Sequence, residues 1–386
     1  MTKRLFLVPF FFALIVIGLG ISGVGTVIPA ISRSFALPYP VVGQIFLFQG
    51  IGYFLSLFVG GFLGNVASQS LILRVGFILA TLGFLGIAVS PSFFLVVIAF
   101  LLMGVGVGFV DCMVNPVATA IFRDRPGETL NFIHAFFGLG SMVSPRFYTL
   151  FSSGRYDWRD LYGVITVFTA VSLILFLLPF IPRKVHTTSS FRGLFPVFRK
   201  RAFWLMGFTM FFYAGGVATL NGWLVSYLVE RNLVVERGAL ILSYFWLGLF
   251  VGRIALASIS DRLGHLRLIR FGSLSGVAMV LLALFMPTGS FWSSFFFFAS
   301  GFGLSVIIPT TLAYAVTSFP DMASLVSGWV LFNNGFGTLL FPWLGGIVGG
   351  RLGLGVVLFA VPFFLFMMFL CQQLLVNTAQ REKRNG

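Results

Sequence analysis

The chain has 386 residues, of which 58% are hydrophobic and 9% charged, and its mean hydropathy is +1.03. A soluble domain carries about 25% charged residues, so a soluble globular protein is excluded. The formal net charge of +15 and a pI near 10.7 would point a soluble chain toward nucleic acid; in a membrane protein they report orientation, because Lys and Arg collect on the cytoplasmic side, and no nucleic-acid partner is expected.

A helix needs about 20 apolar residues to cross the hydrocarbon core. Residues 1–30 open with Lys3 and Arg4 and then run apolar for longer than the roughly 7 to 15 residues of a signal-peptide core, which predicts an uncleaved first helix over 5–30. Apolar runs between breaks of Pro, Gly and charge predict further helices over 41–65, 71–90, 93–121, 130–152 and 159–182. The most polar interior stretch, 183–202, separates these from a second set over 203–229, 237–258, 268–287, 290–318, 322–346 and 352–376. The expected architecture is an all-α membrane protein with twelve transmembrane helices in two pseudo-symmetric six-helix bundles. Its halves are 1–182 and 203–376, with a cytoplasmic linker at 183–202 and a cytoplasmic tail at 377–386. A β-barrel would show alternating segments of about 10 residues, which the long unbroken runs exclude. Cys112 and Cys371 are too few for a disulfide framework.

With the N-terminus inside, only Arg33, Arg146, Arg155, Arg159, Arg231, Arg237 and Arg351 of the 25 basic residues fall outside or near the outer end. Both termini are therefore expected in the cytoplasm.

The two halves echo each other. FFGLGSMVSP (Phe136–Pro145) in the fifth helix and NNGFGTLLFP (Asn333–Pro342) in the eleventh keep Gly, one residue, Gly, then Pro five positions on. In the fourth and tenth helices, Gly108 stands eight residues before Pro116 and Gly301 eight before Pro309. A parallel six-plus-six duplication is an established transporter plan.

Of the ten acidic residues, Asp124, Glu128, Asp261, Asp321 and Glu382 fall at the inner surface and Asp157, Asp160, Glu230 and Glu236 outside; Asp111 alone lies mid-helix. A charged Asp there costs roughly 2.5 to 3.5 kcal/mol on the insertion scale. Asp111 is thus either a proton carrier or a protonated acid bonded to a neighbouring helix. His134, three residues beyond Asn131 on one helix face, either relays protons with Asp111 or, neutral, holds a helix contact. Arg146 is read as the basic residue lying within a span. At about 9 Å from the outer surface, against about 24 Å for Asp111, it is not expected to pair with the acid.

An uncharged polyol needs amides and hydroxyls for its own hydroxyls and aromatic faces for its C–H surfaces. The candidates are Asn115, Asn131, Asn221, Trp223, Tyr244, Trp246, Asn333 and Asn334, with Gln44 and Gln49 on the second helix. Taken singly, each amide reads as an interhelical hydrogen bond, worth about 0.6 kcal/mol on average; together they read as a polar site. No second His or Cys stands near His134 at ligand spacing, so no metal is expected. No GxxxxGK[ST] run is present, which argues against ATP-driven transport and leaves no cofactor implied.

Residues 252–267, GRIALASISDRLGHLR, resemble the signature of the major facilitator superfamily between the second and third helices of a half. The matching positions are Gly252, Asp261, Arg262, Gly264 and Arg267, which the resemblance implies form an inner gate. The first-half counterpart from Gly60 has Asn65 where the acid belongs. A narrower likeness, GVGFVDCMVNP (Gly106–Pro116) followed by LNFIHAFFGLG and a Pro, is similar to the fourth and fifth helices of the fucose-proton symporter family. It falls on Asp111, Asn115, Pro116, Leu130 and Asn131. The chain departs from that family at Gly25, where an acid precedes the first-helix Pro29, and at Val217, where some relatives carry an acid before Trp223.

The resemblance implies a secondary active transporter that moves a neutral sugar or similar small polar solute by alternating access, as proton-coupled uptake, with Asp111 and His134 carrying the proton. It implies a sugar-like small-molecule substrate, protons and membrane lipid as partners, a monomer, and a bacterial inner-membrane location. The rivals are an uncoupled facilitator or a proton-driven exporter of amphipathic compounds, favoured by Gly25 and the aromatic content, and a non-transporting membrane sensor. An enzyme is not expected, since no cluster of nucleophile, base and orienter falls in any span.

Overall fold

The computed structural model describes residues 8–121, 126–151, 157–177, 198–263, 265–319 and 322–385. Among these the regular structure is helical. The first half contains α1 (Val8–Ser22), α2 (Val24–Phe35), α3 (Tyr39–Val42), α4 (Gln44–Val66), α5 (Gln69–Val89), α6 (Phe93–Ile121), α7 (Pro126–Phe151) and α8 (Trp158–Leu177). The second contains α9 (Arg201–Glu230), α10 (Val235–Leu263), α11 (His265–Phe285), α12 (Phe291–Leu304), α13 (Ile307–Ser318), α14 (Ala323–Leu352) and α15 (Leu354–Asn385). The chain divides into two compact units, Met1–Thr188 and Ser189–Gly386.

Among the described residues, nine helical spans are long and apolar enough to cross a membrane, with α3 running on into α4 and α12 into α13, and the bent pair α1–α2 makes a tenth. At 26 and 30 residues, α7 and α14 have the length for the other two crossings. The exposed surface suits a bilayer. Phe58, Phe94, Phe271 and Phe291 are each 72–73% exposed, a placement that water would penalise and hydrocarbon does not. The Phe-rich run at 291–300 divides by face: Phe291, Trp292 and Phe295 point outward, while Phe297 is buried.

The same helix pairings build each half. In the first, α1 packs on α7, α4 and α5 on α6, and α5 on α8; in the second, α9 packs on α14, α10 and α11 on α12, and α11 on α15. Glycines make the closest of these contacts possible. A Cβ at Gly140 would fall on the carbonyl oxygen of Ile15, and one at Gly337 on that of Phe211, so the fifth- and eleventh-helix motifs occupy equivalent places. For the fourth and tenth helices the structure shifts the expected alignment by one turn. A Cβ at Gly301 would fall on the Phe245 carbonyl oxygen, and the glycine that meets the matching residue, Gln49, is Gly104 and not Gly108.

Two breaks have local causes. The Ser144 hydroxyl donates to the carbonyl oxygen of Leu19 at 2.5 Å, and the amide of Gly23 reaches the same oxygen at only 3.3 Å. A side chain inserted into the helical ladder bends it, and α1 and α2 meet at 43°. The span formed by α12 and α13 breaks between Leu304 and Ile307, because Pro309 has no N–H to give the carbonyl of Ser305.

Candidate functional site

Asp111 lies in α6, ten residues before its C-terminal end and so about 15 Å along the axis. The Tyr53 hydroxyl of α4 donates to its Oδ2 at 2.5 Å. The contact follows from close backbone approach. A Cβ at Gly108 would meet the Ser56 hydroxyl and lie 2.7 Å from the Tyr53 carbonyl oxygen, so α4 and α6 cross with only the small Ser56 side chain between them at this level. The Ser56 hydroxyl donates to that carbonyl at 2.7 Å. Asn115, one turn on from Asp111, gives its Nδ2 to the Asp111 main-chain oxygen at 3.4 Å. Gln49, one turn before Tyr53, has its Oε1 buried with no donor facing it. Gln44 is exposed at the start of α4.

The backbones of Asn131 and His134 are in α7, and their side chains lie outside the described residues, as do those of Asp261 and Arg262, while Gly264 lies outside altogether. Of the expected inner-gate residues, Gly252 is buried in α10 against the Phe302 carbonyl of α12, and Arg267 is exposed in the first turn of α11.

In the second half the candidates form separate clusters. The indole N–H of Trp246 (α10) donates to Asn221 Oδ1 (α9) at 3.0 Å, and both residues are buried. Trp223 is fully buried, and its indole N–H donates to the carbonyl oxygen of Pro342 in α14 at 2.8 Å. This is a tie between two helices. Asn333 is buried and gives its Nδ2 to the Trp329 carbonyl at 2.8 Å, while Trp329 stacks on Phe203 and donates to its carbonyl at 3.1 Å. Asn334 is half-buried on the next face, and Tyr244 is exposed.

Sequence reading missed two polar groups. Tyr53 carries no charge and stands in an apolar run, so only its register against Asp111 sets it apart. Arg253, expected at the inner surface, is ten residues inside the C-terminal end of α10 and lies beside the buried Tyr213 of α9. Arg146, expected to be the basic residue within a span, is exposed on α7. Arg253 thus stands well inside α10, because that helix extends to Leu263.

Paired helical halves with polar clusters deep in apolar spans define a transporter built on two bundles. The chain belongs to the Major Facilitator Superfamily, whose model matches residues 10–342. It is 25% identical over 348 residues to a Helicobacter pylori protein described as "Putative glucose/galactose transporter", covering 83% of each chain. It is 26% identical over 329 residues to Protein TsgA of Escherichia coli O157:H7, covering 82% of this chain and 80% of that one. Among solved structures, its fold is similar to that of the nucleoside transporter NupG, at a TM-score of 0.79 and 13% identity, covering 97% of this chain and 100% of that one. It is also similar to the E. coli fucose:proton symporter FucP, at a TM-score of 0.69 and 16% identity, covering 97% and 99%. The family and these relatives are transporters and not enzymes where their names state an activity.

Proposed function

We propose that this protein is a proton-coupled symporter that takes up a neutral sugar or a similar small polar solute by alternating access. The observation that carries the reading is Asp111, the one acid placed well inside a helix among the described residues, held by a Tyr hydroxyl from a second helix. An acid kept at that depth against its insertion cost marks a proton path by default. The sugar assignment is supported by the name of the Helicobacter pylori relative and by the wealth of amides over fixed charge. Gln49, Asn115, Asn131, Asn221, Tyr244, Trp246, Asn333 and Asn334 are the proposed solute contacts, with His134 beside Asn131 as the second proton group. Trp223 stands further from this role, since its polar edge is engaged by Pro342. The protein works as a monomer in a bacterial inner membrane with both termini cytoplasmic, the basic linker at 183–202 lying on that side.

Gly25, buried in α2 where the fucose symporter family has an acid, favours a second reading, an uncoupled facilitator. Transport in proteoliposomes separates the two. Asp111→Asn is expected to abolish uphill uptake driven by a proton gradient while leaving solute exchange intact; unchanged uphill uptake overturns the proton assignment.

A further inference from the structure

Tyr53 holds the acid and lies one helical turn from a buried acceptor that has no partner. Its hydroxyl donates to Asp111 Oδ2 at 2.5 Å. One turn toward the N-terminus of α4, on the same helix face, Gln49 keeps Oε1 buried with no hydrogen-bond donor.

We propose that Tyr53 is the positioning residue through which a proton on Asp111 raises affinity for a hydroxylated solute; this rests on Asp111 being the proton carrier. An ionised carboxylate carries no hydrogen and can only accept, whereas a phenol both donates and accepts. While Asp111 is ionised, the Tyr53 O–H is committed to Oδ2. When water delivers a proton to the carboxylate, an O–H bond forms on Oδ2 and the donor keeps the electron pair. The new O–H donates to the Tyr53 oxygen. The phenolic hydrogen never leaves its own oxygen and rotates to another acceptor. A solute hydroxyl seated between Tyr53 and Gln49 then finds both its needs met: its O–H donates to Gln49 Oε1, and its oxygen accepts from Tyr53. Without the proton, Gln49 Oε1 and the engaged Tyr53 offer that hydroxyl an acceptor and no donor. Protonation precedes tight binding, and the solute class is a neutral alcohol or sugar.

Among the described side chains, this switch rests on two groups, on α4 and α6. The titratable neighbours of Asp111 are Tyr53 from α4 and Cys112 from α6 itself, and the Cys112 thiol faces the Leu57 carbonyl at 3.9 Å. The titratable residue of α5, Arg74, is turned away to the Phe176 carbonyl of α8. α1 contributes none; on α7 Arg146 is exposed and Tyr148 is buried near Tyr162 of α8, while the side chains of Glu128 and His134 lie outside the described residues.

The test is a set of acid-minus-alkaline infrared difference spectra of the full chain in lipid, for the natural protein, Asp111→Asn and Tyr53→Phe. A carboxylic C=O band that Asp111→Asn removes is expected, together with a shift of the tyrosine C–O stretch that both variants remove. The carboxyl band without the tyrosine shift overturns this inference and leaves Asp111 as the proton carrier. Loss of the carboxyl band from the natural protein overturns the Asp111 reading itself. If Tyr53→Phe does not fold, Asp111→Asn must still remove the tyrosine shift, and its persistence there overturns the switch.

Discussion

The indole N–H of Trp223 in α9 and the main-chain oxygen of Pro342 in α14 stand 2.8 Å apart, and the indole is fully buried. The bond ties the first helix of the second half to the helix that carries the repeated Gly-x-Gly motif, at the proline of that motif.

Trp223→Phe keeps most of the buried ring and removes this donor, while the Pro342 carbonyl keeps its place in the helical ladder of α14. The net worth of one such hydrogen bond is about 0.5–1.5 kcal/mol. A lower thermal unfolding midpoint in detergent is expected, with solute affinity unchanged. A variant of full stability and weakened binding would move Trp223 into the solute site.

The glycine contacts make a matched pair of predictions. Gly104→Ala and Gly301→Ala each place a methyl on a carbonyl oxygen of the neighbouring helix, Gln49 and Phe245 respectively. Overpacking of this kind costs about 1–3 kcal/mol, so both proteins should melt earlier. Gly163→Ala in α8, where a Cβ meets nothing within 4 Å, should be neutral or stabilise by up to about 1 kcal/mol through helix propensity. Equal midpoints for all three would contradict the packing.

The Asn221–Trp246 bond at 3.0 Å lends itself to a double-mutant cycle with Asn221→Ala and Trp246→Phe. Interhelical hydrogen bonds in membrane proteins couple by about 0.6 kcal/mol on average and up to about 1.7. A coupling energy in that range, from unfolding in detergent, is expected; zero coupling would show that the two residues act separately.

Arg253 and Tyr213 should show dependence in one direction. Arg253→Met removes a charge from α10 but leaves the buried Tyr213 hydroxyl without that neighbour. Adding Tyr213→Phe removes that hydroxyl. The double variant is therefore expected to unfold at a higher temperature than Arg253→Met alone, and the reverse order would mean that Tyr213 has another partner.

The amino-acid sequence alone determined the membrane setting, the two similar halves and the position of Asp111 as the isolated acid. These are properties a bilayer reads residue by residue: hydropathy over about 20 positions, and the cost of one charge within them. The motif pair ending in Pro145 and Pro342 was also legible, because the close approach of helices demands glycine at fixed spacing. The turn-long shift between Gly104 and Gly108 was not, since spacing to a proline is a weaker marker than the carbonyl a glycine touches. Partners were decided by tertiary structure. Tyr53 and Asp111 are 58 positions apart, and only the crossing of α4 and α6 brings the phenol to the acid. In the same way the polar edge of Trp223 found a backbone oxygen 119 residues away. The physical reason is one of range: burial in a bilayer is set by local composition, whereas each buried polar group must find a partner wherever the helices happen to meet.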